Sequence, residues 1–172
     1  MIPVRRKYSD TYFENDTGHF SWVGTNLGQC RVRINQRRTM VFYAAQPKIS
    51  ENCKTEYCKY FEEVIINLPI PLFECLDRMC VDLSRQPNID PAGLICVGET
   101  KKGKIGYSGY YLVFGKFGKS QNKSAKFNAD GEVEQVQFMN GEYGEGVLLT
   151  ITKVPDQKLC FEFYLEVEKG IS

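Results

Sequence analysis

The chain has 172 residues, 42% of them hydrophobic and 25% charged, a balance that suits one globular domain with its own core and excludes global disorder. Its seven cysteines are an odd number, which excludes a fully paired intrachain disulfide framework. Its net charge of +1 is below what dedicated nucleic-acid binders show.

Residues 1–28 carry polar and Gly-rich pieces around His19 and Trp22 and read as an irregular N-terminal arm. The basic start Met1–Tyr8 is followed by no apolar run, so no secretory signal is expected. No apolar stretch approaches the ~18 residues of a bilayer-spanning helix, so no membrane partner is expected either. The expected location is cytoplasmic, with reduced thiols.

Residues 29–172 read as a single, mainly antiparallel β domain. Cys30–Ile34 alternates polar and apolar residues, and Arg38–Ala45 is rich in β-formers, so the two are expected to form a hairpin. Tyr60–Leu68, crowded with β-branched residues, is expected to be a buried strand. After Pro71, the residues Leu72, Cys75, Leu76, Met79, Cys80 and Leu83 recur at helical spacing and predict one amphipathic helix near 71–85. Gly93–Val97 and Tyr107–Phe114 read as strands joined by the lysine-rich turn Thr100–Lys104. Asp130-Gly131 and Asn140-Gly141 mark hairpin turns around Val133–Phe138. Val147–Val154 and Leu159–Val167 form the last hairpin, with Leu159, Phe161, Phe163, Leu165 and Val167 on one face. The expected fold is therefore mainly β (α+β), an antiparallel barrel or sandwich of about seven or eight strands with one inserted helix.

The motifs that carry chemistry each fall short. Gly98-Glu99-Thr100-Lys101-Lys102-Gly103-Lys104 has the G-x-x-x-x-G-K spacing of a phosphate loop, but Ile105 stands where a magnesium-binding hydroxyl belongs and a strand, not a helix, follows. It reads as a basic β-turn. The pairs Cys53/Cys58 and Cys75/Cys80 resemble zinc ligands, yet the second pair lies on the apolar stripe of the predicted helix, where thiols act as small hydrophobes. With a single histidine, His19, and no recognisable carboxylate pair, no catalytic residue, metal ligand or cofactor is assigned.

What rises above background is charge segregation. Residues 1–49 carry eight bases against three acids, and residues 101–126 carry seven lysines and no acid. Residues 50–100 and 127–172 each hold nine acids, against four and three bases. In the cationic run, lysines interleave with rings, the combination that lets a groove track phosphates and stack bases of a single strand. The expected function is thus a non-enzymatic module binding single-stranded DNA or RNA with little sequence preference. Lys101, Lys102, Lys104, Lys116, Lys119 and Lys123, with Arg37 and Arg38, would contact phosphates; Tyr107, Tyr110, Tyr111 and Phe117 would stack. Arg31 and Arg33 would extend the surface if their strand neighbours this one. The alternative is a protein-interaction or structural accessory protein, of which viral accessory subunits are one class. Its basic face would dock an acidic protein partner or a second copy in a homo-oligomer.

Overall fold

The computed structural model describes residues 11–13, 22–27, 30–86, 94–120, 124–138 and 141–169. The strands are β1 (Thr11–Phe13), β2 (Trp22–Leu27), β3 (Cys30–Asn35), β4 (Leu94–Glu99), β5 (Lys104–Ser120), β6 (Lys126–Phe127), β7 (Val133–Phe138), β8 (Val147–Val154) and β9 (Lys158–Glu168). They form one antiparallel sheet in the order β1-β2-β3-β5-β9-β8-β7-β6, with β4 added to β5, and the sheet curls into a half-barrel. The expected mainly antiparallel, barrel-like β architecture is what the chain adopts.

The alternation that predicts β9 is real: Leu159, Phe161, Phe163, Leu165 and Val167 are all buried. On β5, Ile105, Tyr107, Tyr111 and Val113 join them, and on β8 Val147, Leu149 and Ile151. Helices fill the concave side. These are α1 (Gln36–Ala44), α2 (Ile49–Asn52), α3 (Glu56–Glu63) and α4 (Pro71–Arg78), with a 3-10 turn at Ile65–Asn67. Phe61 of α3 and Phe73 of α4 reach Phe163, with ring centroids 6.4 and 6.5 Å away, so the core is dominated by interlocked rings.

Three expected elements are corrected. Arg38–Ala45 belongs to a helix, not to the second strand of a hairpin. Asn35 ends β3 and caps α1, its side-chain oxygen accepting the Arg38 N–H at 3.0 Å. The partner of β3 is instead β2, within the span read as an irregular arm. Tyr60–Leu68 is likewise helical: Thr55 caps α3 by accepting from Cys58 N–H, and Cys58, Phe61 and Ile65 recur at helical spacing on the buried side while Val64 is exposed. The helix after Pro71 forms but stops at Arg78. Val81 N–H donates to Leu76 and Cys80 N–H to Asp77, the pairing of a Schellman stop, with Cys80 in the left-handed position at φ 65°. The apolar stripe continues past that stop because Val81 and Leu83 are buried from irregular chain.

Helix α1 has a task that its composition does not advertise. One edge of β5 pairs with β4 as far as Gly109 and with β3 from Gly115 onward. In the interval, the Tyr43 hydroxyl donates to the Leu112 carbonyl at 2.8 Å and accepts the Leu112 N–H at 2.9 Å. The Thr39 hydroxyl accepts the Phe114 N–H at 3.1 Å and donates to the Asn35 carbonyl. Two helix side chains therefore complete a ladder that no strand reaches.

Burial pushes the Tyr43 and Tyr111 hydroxyls well above the ordinary tyrosine range. A raised folded-state value means that their stabilising contribution is whole below the unfolded tyrosine value of about 10 and is lost as pH climbs beyond it. Cooperative unfolding is expected above about pH 10, with tyrosinate absorbance and loss of near-UV dichroism rising together. Tyrosines that all titrate near pH 10 in a still-folded protein contradict this.

The expectation of reduced thiols throughout is also corrected: Cys53 and Cys58 form a disulfide, while Cys30 and Cys160 are free thiols. The bond closes a small loop around the capping residue of α3. Loop-closure entropy for so short a ring is worth about 2 kcal/mol. Reduction by a dithiol is expected to lower the unfolding free energy by about that amount, read from the shift of a urea melt; an unmoved midpoint would show that the bond holds nothing in place.

Candidate nucleic-acid interface

Three lysines of the cationic run, Lys104, Lys116 and Lys119, lie on one strand, β5, of 17 residues, so its two ends are far apart. From Lys104 to Lys116 the chain covers roughly 40 Å at ~3.3 Å per residue. Lys101 and Lys102 sit exposed in the β4–β5 turn, closed by Gly103 N–H to Thr100 and Thr100 N–H to Lys104. That turn opens a strand, so the glycine-rich stretch is the basic β-turn its sequence suggests. Beside it stand carboxylates. Lys104 pairs with Glu168 at 3.4 Å, Lys169 pairs with Glu99, and Glu166 follows one pleat along β9.

The rings split by face. Tyr107 and Tyr111 are 0% and 2% exposed, and their hydroxyls donate to the carbonyls of Tyr57 and Leu83 at 2.8 and 2.7 Å. Tyr107 lies 5.1 Å from Phe61 and Tyr111 stacks on Phe163 at 5.8 Å. These two rings stack on one another's neighbours inside the core and have no face left for a base. The cause is the period-two pleat: from Ile105 to Gly115 the odd residues of β5 point into the concavity and the side chains of Ser108, Tyr110, Leu112 and Phe114 point out. Tyr110 points out, half-buried, directly across from Glu162 of β9. Phe117 is half-buried and packs against the core.

The far end is different. Here β3 does neighbour β5: Arg33 lies directly opposite Lys116, and Arg31 packs beside Gly118, whose added Cβ would stand 3.4 Å from the Arg31 Cβ. Arg31, Lys116 and Lys119 are exposed, and α1 adds exposed Arg37 and Arg38 in a first turn that contains no acid. Those two charges reinforce the positive helix end rather than balancing it. Arg38 lies over the Phe114 ring, 4.3 Å from its centroid, and Lys158, paired with Phe114 across β5 and β9, approaches the same ring. Lys123 and His19 lie outside the described residues.

The structure thus brings Arg37, Arg38, Lys116 and Lys119 together at one end of β5 and leaves Lys101, Lys102 and Lys104 at the other. Lys158 is the residue that sequence reasoning missed. Only the register of the last hairpin against β5 places it beside Phe114, and no local pattern marks it.

The thiols near this surface are not poised for chemistry. Burial, with Glu162 adding a smaller push, raises Cys160 to about 11, and burial raises Cys30 as well, so neither is an activated thiolate near neutrality. Cys53 and Cys58 occupy each other. Among the described residues, no helix is long and apolar enough to cross a membrane and no cluster of acidic, cysteine or histidine side chains forms a metal site. No protein-family model matches the chain, and no curated protein or solved structure shows significant similarity to it.

Proposed function

We propose that the protein is a non-enzymatic module that holds single-stranded DNA or RNA, with little sequence preference, on the basic end of its sheet. The observation that supports this reading is the segregation of charge along β5. Arg33, Arg37, Arg38, Lys116 and Lys119 gather where the strand ends, while Glu99, Glu166 and Glu168 gather where it begins. An extended polyanion fits the first end; at the second, Lys104 and Lys169 are already paired with Glu168 and Glu99, which weakens their pull on a phosphate.

With Tyr107 and Tyr111 in the core, stacking contributes little and phosphate contacts carry the affinity. Weak base discrimination follows, because phosphate contacts position a strand without reading it. About four phosphates contacted on a single strand give a logarithmic salt slope near −2.8. Fluorescence anisotropy with a labelled oligonucleotide is therefore expected to show affinity falling about 50-fold between about 50 and about 200 mM salt. A salt-independent signal, or none at low salt, refutes the reading.

A protein partner is the second reading, supported by the outer sheet face. There Leu148, 49% exposed, lies across from Tyr164, whose hydroxyl donates to the Glu166 carboxylate. It predicts no oligonucleotide binding at physiological salt. The cytoplasmic setting proposed with either reading is checked by trapping thiols with an alkylating agent at lysis and reading whether Cys53 and Cys58 are linked.

A further inference from the structure

Three separately placed elements converge on the Phe114 ring. Arg38 comes from α1, its guanidinium carbon 4.3 Å from the ring centroid; Lys158 comes from β9, its ammonium nitrogen 5.8 Å away. With Asp156 and Gln157 of the β8–β9 turn, these side chains line a shallow depression of about 500 Å³. Among the described residues neither Arg38 nor Lys158 forms an ion pair, although the Asp156 carboxylate lines the same depression.

Two like charges on one ring repel each other, and a ring face offsets only about 0.5–1 kcal/mol per cation at an exposed site. An anion between them turns that repulsion into attraction. Its chemistry is constrained by the pair. A guanidinium offers a flat fork of N–H donors, and an ammonium offers a compact charge from a different direction. A carboxylate presents its two oxygens in one plane and satisfies the fork alone, whereas the tetrahedral oxygens of a phosphate meet both groups at once. Asp156 and Gln157 then add acceptors at the rim for hydroxyl or amino groups carried by the ester.

We propose that this depression is a phosphate clamp, with Arg38 and Lys158 holding one phosphate ester beside the Phe114 ring. The inference deepens the nucleic-acid reading and rests on it for the source of the phosphate, a phosphodiester in a strand; a free nucleotide carries the same chemistry. The protein is titrated with adenosine 5′-monophosphate and, separately, with a short oligothymidylate, following backbone amides by NMR. Wild type, Arg38→Gln, Lys158→Gln, the double variant and Lys101→Gln are compared, each first shown to retain the wild-type spectrum away from the site.

Both probes are expected to shift the Gln157 and Gly115 amides saturably, the two residues being joined by a Gly115 N–H to Gln157 carbonyl bond. Each single charge removal is expected to weaken binding about tenfold, and Lys101→Gln to leave it unchanged. Mononucleotide binding that depends on Arg38 and Lys158, without oligonucleotide binding, upholds the clamp as a nucleotide site and defeats the strand reading. Oligonucleotide binding that is undiminished in the double variant defeats the clamp and leaves the strand reading standing. Absence of saturable shifts with either probe overturns the clamp.

Discussion

Replacing Tyr43 with phenylalanine is expected to lower the unfolding free energy by about 2–4 kcal/mol, a large effect for the loss of one oxygen. That hydroxyl serves both the N–H and the carbonyl of Leu112, on the stretch of β5 edge that neither β4 nor β3 covers. The ring itself is 1% exposed, so phenylalanine keeps the packing and removes only the bonds. Two backbone groups are then left without partners at about 1–3 kcal/mol each, partly relieved where water enters. Thr39→Val tests the same device at Phe114 and is expected to lose about 1–2 kcal/mol, because one N–H rather than two groups is orphaned. Urea melts of both variants decide the matter. A Tyr43→Phe loss below about 0.5 kcal/mol would mean that solvent already serves that edge.

Gly115→Ala is the second large effect, and it acts on fold and surface together. A Cβ built at Gly115 falls 2.6 Å from the Arg33 carbonyl oxygen and 2.8 Å from the Ile34 Cδ1 atom. The nearer atom is backbone in the paired strand and cannot rotate away, so β3 must shift from β5. Overpacking of this kind typically loses about 1–3 kcal/mol. Because the shift moves the strand that holds Arg31 and Arg33 beside Lys116, oligonucleotide affinity is expected to fall about tenfold in protein that is still folded at low temperature. Unchanged stability would show that the strands slide apart without strain. Unchanged affinity in a destabilised variant would show that the alignment of β3 and β5 is irrelevant to binding.

The strands were legible wherever one face is buried and the other wet, since period-two alternation is imposed by the pleat itself. Val147–Val154 and Leu159–Val167 show it plainly. Arg38–Ala45 and Tyr60–Leu68 misled because β-branched and aromatic residues there serve tertiary contacts: Thr39 and Tyr43 reach a strand edge, and Cys58, Phe61 and Ile65 reach the core. Context overrode intrinsic preference in both, while the side-chain caps Asn35 and Thr55 were the local signals pointing the other way.

The candidate site was half legible. Its charge was visible in composition, but the facing of Tyr107, Tyr110 and Tyr111 depends on which pleat phase meets the helices, and two successive rings necessarily point opposite ways. The length of β5, which sends Lys104 and Lys116 to opposite ends, and the approach of Lys158 to Phe114 are properties of register between distant segments. No window of sequence contains them.

On the proposed function, phosphate contacts are expected at the β3–β5 end and not at the β4–β5 turn. Oligonucleotide affinity and its salt slope are to be measured for Arg33→Gln/Lys116→Gln and for Lys101→Gln/Lys102→Gln under identical conditions. The first pair is expected to lower affinity about 100-fold at low salt and to flatten the slope by about 1.4, the share of two single-strand phosphate contacts, while the second pair changes neither. Equal losses from the two pairs, or a loss confined to the turn lysines, would contradict it.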